Sequence, residues 1–159
     1  SPGQTLVETV IAAALISLGI LAALSLTTRS EKQNTSAKSL TEATKYATQA
    51  ADYLRSQRTQ LGWATMNSKT GADVVNNYAT YCLNALPESP ATYLDLVPGG
   101  CSDNTFIPDD SVDGNSIFTR QIVVDTSSAS GGILKFVVTV NWQEQITRTT
   151  SLEMELTSW

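Results

Sequence analysis

Between Leu6 and Leu26 the sequence carries one charge, the carboxylate of Glu8. Its neighbours on both sides are apolar or small: Leu6 and Val7 before it, then Thr9 and an almost unbroken run of Val, Ile, Ala and Leu. An ionised carboxylate only accepts hydrogen bonds, and in an apolar medium it is costly unless a donor or a cation meets it. No Lys or Arg lies within the run. The chemistry to expect of Glu8 is therefore ion pairing, with a partner supplied from outside its own segment.

Other chemistry has few carriers. There is no histidine, which removes Ser/His and Cys/His nucleophile pairs and His-ligated zinc. No phosphate-cradling loop is visible, and we expect no enzyme. Asp109-Asp110-Ser-Val-Asp113-Gly114-Asn115 has the oxygen ligands and the glycine of the first half of a calcium loop, with Asp109, Asp113 and Asn115 as the candidate ligands. Arg120 stands where the closing acid would be needed, so a solvated acidic turn is the plainer reading and no cofactor is expected. Cys82 and Cys101 are too few for a structural zinc site. Paired, as suits an exported domain, they close a loop whose crosslink stabilises by about 3 kcal/mol. The other reading is two buried free thiols. A net charge of −5 argues against nucleic-acid binding by the bulk surface.

The element that must carry Glu8 is a helix. Leu6 to Leu26 spans about 31 Å at ~1.5 Å per residue, close to the ~30 Å of a bilayer core. The helical signal continues beyond it, since residues 27–60 contain neither Pro nor Gly. A stripe of Leu40, Ala43, Ala47, Ala50, Leu54 and Leu61 marks one apolar face, flanked by Tyr46 and Tyr53. Lys38, Glu42, Lys45, Asp52, Arg55 and Arg58 mark the opposite face. Gly62 is the expected stop. Gly19, the one helix-weakening residue in the apolar half, marks either close packing or a place where the helix loosens.

Residues 62–115 read as a long connector rich in Pro, Gly, Asn and Asp, with room for short elements near Ala72 to Leu86. Three strands follow within 116–157. Ser116 to Asp125 is the first. Ile133 to Trp142 sets Leu134, Phe136, Val138, Val140 and Trp142 on one face. Ile146 to Thr157 sets Leu152, Met154 and Leu156 on one face. The links between them suit hairpins. The fold class is α+β: a long N-terminal helix whose amphipathic second half covers a small antiparallel sheet of three or more strands. Phe136 and Trp142 read as core, and Trp63, Tyr78, Tyr81 and Trp159 as candidates for a contact surface.

On these residues the chain resembles the type IV pilin and pseudopilin family. Gly3 followed by Gln-Thr-Leu-Val-Glu looks like that family's prepilin-peptidase site, and the C-terminal stretch from Val137 to Trp159 is similar to minor-pilin-like members. The resemblance implies a cut after Gly3, so that 1–3 are residual leader and Gln4 becomes the first residue. Gln4 stands where the family usually has Phe or Met. The resemblance also implies that 4–28 form a transmembrane and filament-core helix and 29–159 a globular head, built from helix 29–61, connector 62–115 and sheet 116–157. Thr5, Leu6, Val7, Glu8 and Gly19 would take part in filament assembly, with Glu8 pairing a neighbour's N-terminal amine. The implied partners are copies of the same chain, the cytoplasmic membrane before assembly, prepilin peptidase and the assembly platform. The implied location is the cytoplasmic membrane and then a filament on the cell surface.

Four functions fit the sequence. The leading one is a structural filament subunit. The others are a minor or tip pilin that binds a surface or DNA, a secretion-system pseudopilin, and a membrane-anchored domain that never polymerises.

Overall fold

The structure is a computed structural model that describes residues 2–72, 75–87, 95–102, 105–108 and 117–159, with the backbone alone at 2–6, 69, 71 and 72. Helix α1 spans Pro2–Leu61 and helix α2 Trp63–Ala72; strands β1 to β4 are Tyr78–Cys82, Phe118–Asp125, Ile133–Gln143 and Thr147–Thr157. The expected α+β class is what the chain adopts. It divides into two compact units, Ser1–Leu40 and Thr41–Trp159.

In the first unit every described residue is helical, and the side chains from Val7 to Leu26 are exposed. Val10, Ile11, Leu15, Ile16, Leu18, Ile20 and Leu21 fall on all sides of the helix. A helix that is apolar all round belongs in an apolar surround. This stretch of α1 is long and apolar enough to cross a membrane.

In the second unit, α1 packs on a four-stranded antiparallel meander of order β1-β2-β3-β4. Ala43, Ala47, Ala50, Ala51 and Leu54 are buried in one core with Tyr81, Ile122, Phe136, Val138 and Trp142. The small residues on the helix let it approach the sheet, which supplies the bulk. The predicted stripe holds from Ala43 to Leu54; Leu40 is exposed, and Leu61 is half-buried. Register brings Ile122, Val138 and Leu152 into line across three strands on the core face. On the outer face Lys135 lies opposite both Asp125 and Glu155, with its ammonium 3.3 Å from the Glu155 carboxylate.

α1 ends where expected. Gly62 adopts φ +74°, a left-handed conformation that glycine enters at little cost. Its N–H donates to the Arg58 carbonyl at 3.1 Å.

The connector is more ordered than its composition suggests. It opens with α2, in which Met66 and Thr70 are buried and the Thr70 hydroxyl donates to the Met66 carbonyl. Only Trp63 and Met66 are large apolar residues in this helix, amid Thr, Ser and Gly, so its periodic signal is faint. The connector then holds β1, a fourth strand. Asn76 and Asn77 both have positive φ, the pattern of a type I′ turn, and Val75 and Tyr78 exchange two backbone hydrogen bonds across them. Farther on, Gly99 donates to the Thr80 carbonyl and Ile107 to the Phe118 carbonyl, which pins the connector to the sheet.

Candidate functional site

The exposed apolar stretch of α1 from Val7 to Leu26 is the feature that needs explaining. Its backbone is satisfied by helical hydrogen bonds, and its hydroxyls are largely satisfied too. Ser17 Oγ donates to the Ala13 carbonyl and Ser25 Oγ to the Ala22 carbonyl, both at 2.8 Å. Just past the run, Thr27 and Thr28 donate to the carbonyls of Ala23 and Leu24. Back-bonded hydroxyls present carbon to their surroundings, which suits an apolar medium.

Glu8 is the exception. Its side chain is exposed, and among the described residues no donor or cation meets it. Magnitudes decide what this does to insertion. Removing the exposed Val, Ile and Leu side chains of this stretch from water is worth on the order of 10–20 kcal/mol. A carboxylate at a bilayer centre costs about 3 kcal/mol on the insertion scale. The apolar term wins, so Glu8 does not prevent insertion. It does leave an acceptor in search of a donor.

Gly19 lies within the helix without distorting it. A methyl group built on it would meet nothing within 4 Å in this chain, so nothing inside the chain requires glycine there. The backbone at Gly3, Gln4, Thr5 and Leu6 is helical. Their side chains are not among those described, and the segment expected to be cleaved is therefore placed only as part of a helix.

Comparison with protein-family models, with curated proteins and with solved structures finds no match.

In the second unit, Cys82 and Cys101 form the expected disulfide, with their Cα atoms 4.6 Å apart. The reading of two free thiols is thereby replaced. The bond ties the C-terminal end of β1 to the returning connector. Beside it lies a residue whose role the sequence did not suggest. Arg120, in the middle of β2, is 2% exposed. Its Nε donates to the Leu83 carbonyl and one terminal nitrogen to the Tyr46 carbonyl, both at 2.8 Å. The other terminal nitrogen reaches the Asn84 carbonyl at 3.3 Å, and the Arg120 backbone N–H donates to Asn84 Oδ1. Asn84 in turn donates to the Thr105 carbonyl at 2.7 Å. The Arg120 carbonyl accepts from the Leu83 N–H and lies 3.1 Å from Cys101 Sγ.

This cation is held by carbonyl dipoles, and among the described residues no carboxylate lies within ion-pair distance. Burial lowers its pKa below the ordinary guanidinium range to about 10, and the nearby Tyr46 offsets part of that fall. The sign follows directly. Below pH ~10 both folded and unfolded chains keep the proton, so Arg120 gives stability no pH dependence there. The only sequence-level signal was its place at an inward position of an alternating strand, between Phe118 and Ile122.

Asp109, Asp113 and Asn115 lie outside the described residues. Arg120, the residue at the closing position of that loop, is turned into the core. Of the aromatic candidates for a contact surface, Tyr81 is fully buried and Trp63 half-buried, whereas Tyr78 and Trp159 are exposed. Tyr81 points inward because β1 alternates Ala79 and Tyr81 toward the core.

Proposed function

We propose that this chain is a structural subunit of a type IV pilus-like extracellular filament. Its apolar helix holds it in the cytoplasmic membrane and then packs among the same helices of neighbouring subunits. The observation that carries this reading is the exposed, all-round apolar helix of Val7–Leu26 with a single unmet carboxylate at Glu8 near its start. A bilayer satisfies the apolar surface and leaves the carboxylate unmet. A bundle of identical helices satisfies both, because each copy brings an amine as well as an acid.

In this reading a cut after Gly3 frees the amine of Gln4, four residues before Glu8. Four residues is about one helical turn, or ~6 Å of rise. A subunit displaced along the filament axis by about one turn then sets its Glu8 against its neighbour's amine. The net stability of such a buried pair is modest, because desolvation offsets the attraction. Its larger effect is on register, since any other stagger leaves two buried charges unpaired. Thr5, Leu6 and Val7 occupy the turn between amine and acid, where neighbours must pass closely. Gly19, with no packing demand inside the chain, is free to serve contact between helices or local loosening.

Peptide sequencing of the protein isolated from cells tests the processing step. A start at Gln4 is the expected result. A mature protein that retains Gly3 ahead of Gln4 contradicts the pairing scheme, because the amine then lies too far along the helix.

A further inference from the structure

The outer face of the sheet carries a groove of about 440 Å³ at the end where Thr119 and Gln121 of β2 lie beside Asn141 and Gln143 of β3, flanked by Phe106. We propose that this groove binds a neutral carbohydrate.

Three observations carry the assignment. The first is charge. No described residue lining this groove is ionisable, although the second groove on the same face, of similar size, is lined by Asp125, Lys135, Glu153 and Glu155. The described lining is amides, hydroxyls and apolar side chains, and it gives no charged partner to a phosphate, a sulfate or a basic side chain. It suits a ligand that is polar and uncharged.

The second is the orientation of the amides. Thr149 Oγ1 donates to Asn141 Oδ1 at 2.7 Å, and Thr147 Oγ1 donates to Gln143 Oε1 at 2.8 Å. With their oxygens engaged, the two amides present N–H donors, and among the described residues neither nitrogen meets an acceptor. Gln121 adds a third amide. Rows of oriented amides and hydroxyls match the vicinal hydroxyls of a sugar ring, each of which both donates and accepts.

The third is the apolar flank. Phe106 is 46% exposed and Ile117 39% exposed, beside the polar strip. An aromatic face next to hydrogen-bonding groups fits a pyranose, which has a C–H face and a hydroxyl rim. An extended peptide is the weaker fit. Of the strands that line it, β2 and β3 are interior and only Thr147, the first residue of β4, comes from a sheet edge, so the groove offers little edge for strand addition. The inference concerns the second unit alone and does not rest on filament assembly.

The test uses the full chain in a detergent without sugar headgroups, such as a dimethylamine oxide. Ligand-observed saturation-transfer NMR and titration are run with glucose, galactose, N-acetylglucosamine and their disaccharides, alongside sialylated and sulfated counterparts. The expected result is binding of at least one neutral saccharide, weakened about tenfold by Phe106→Ala and by Asn141→Ala, a loss of the size of one good hydrogen bond or ring contact. Asn141→Asp keeps the side-chain shape and removes its N–H donors, so it must weaken binding too. Glu155→Gln, in the charged groove, must leave binding unchanged. The proposal is overturned if none of the neutral saccharides binds at up to about 10 mM. It is equally overturned if only the anionic counterparts bind, or if binding survives both Phe106→Ala and Asn141→Asp in protein with unchanged thermal unfolding.

Discussion

The guanidinium of Arg120 donates to the backbone carbonyl of Tyr46 at 2.8 Å, which joins the middle of β2 to a helical turn of α1. That carbonyl belongs to a helix, so the bond is an addition to the helical ladder. The rings of Tyr46 and Phe118 meet beside it, with centroids 5.3 Å apart. One side chain thus links α1, β2 and the residues just after β1, next to the disulfide.

Replacing Arg120 by Ala leaves a buried cavity and strips charge-assisted hydrogen bonds from the carbonyls of Leu83, Tyr46 and Asn84. The expected loss is about 3–5 kcal/mol, read from denaturant unfolding of the detergent-solubilised chain. Arg120→Lys recovers only part of it, because an ammonium does not present the planar fork that reaches three carbonyls at once. Wild-type stability after Arg120→Lys would show that the fork is not what holds these elements.

The disulfide is expected to matter by a similar amount. Its loop of 19 residues gives about 3 kcal/mol in the chain-entropy picture. The double substitution Cys82→Ser with Cys101→Ser should lower the melting temperature of the second unit by roughly 10 °C. Hydrogen exchange should rise first at β1 and at Gly99, which the bond holds against the sheet edge.

Two glycines should respond in opposite ways to alanine. Gly19→Ala meets open space in a helix and should stabilise that helix by about 1 kcal/mol. Gly132→Ala is placed at φ +78°, where its methyl would collide with the side chain of Ser158. It should destabilise by at least about 1 kcal/mol, as thermal unfolding will show. If Gly19→Ala also lowers filament yield while leaving the protein in the membrane, the glycine serves contact between helices or local loosening.

Asp125 gives a small acid-side signature. The Ser127 backbone N–H donates to its carboxylate at 2.8 Å, and this bond, with lesser help from the Ser127 side chain and Lys135, holds its pKa below the ordinary 3.8. A lowered carboxylate pKa means stability that is present above the unfolded value and lost as pH falls through the folded one. The melting-temperature gap between wild type and Asp125→Asn should therefore be constant above pH ~5 and close below pH ~4. A gap that persists at pH ~2 would assign the effect to geometry and not to charge.

Much of this architecture was legible because periodicity is a direct print of burial. The 3-4 spacing of Ala43, Ala47, Ala50 and Leu54, and the strict alternation from Leu134 to Trp142, each follow from one face meeting a core. Gly62 was legible because few other residues end a helix in the left-handed region. α2 was not, since it is short and rich in Thr, Asn and Ser; β1 was legible only as room for a short element near Ala72 to Leu86, since it has five residues and takes its order from packing and from the disulfide. Arg120 was hidden for a different reason. Its type says surface, and only its carbonyl partners, distant in sequence at Tyr46 and near Leu83, make burial tolerable. Glu8 was legible as an unmet charge, and the structure leaves it so among the described residues.

The central claim rests on that charge, and the most direct measurement is the yield of sheared surface filaments from cells carrying Glu8→Ala or Glu8→Gln. Membrane-fraction levels of each variant should equal wild type, because the apolar helix inserts with or without the carboxylate. Filament yield should fall at least about tenfold, the effect of losing one register-setting charge pair. Filaments at wild-type yield from either variant, built mainly of this chain, would contradict the pairing of Glu8 with a neighbour's amine.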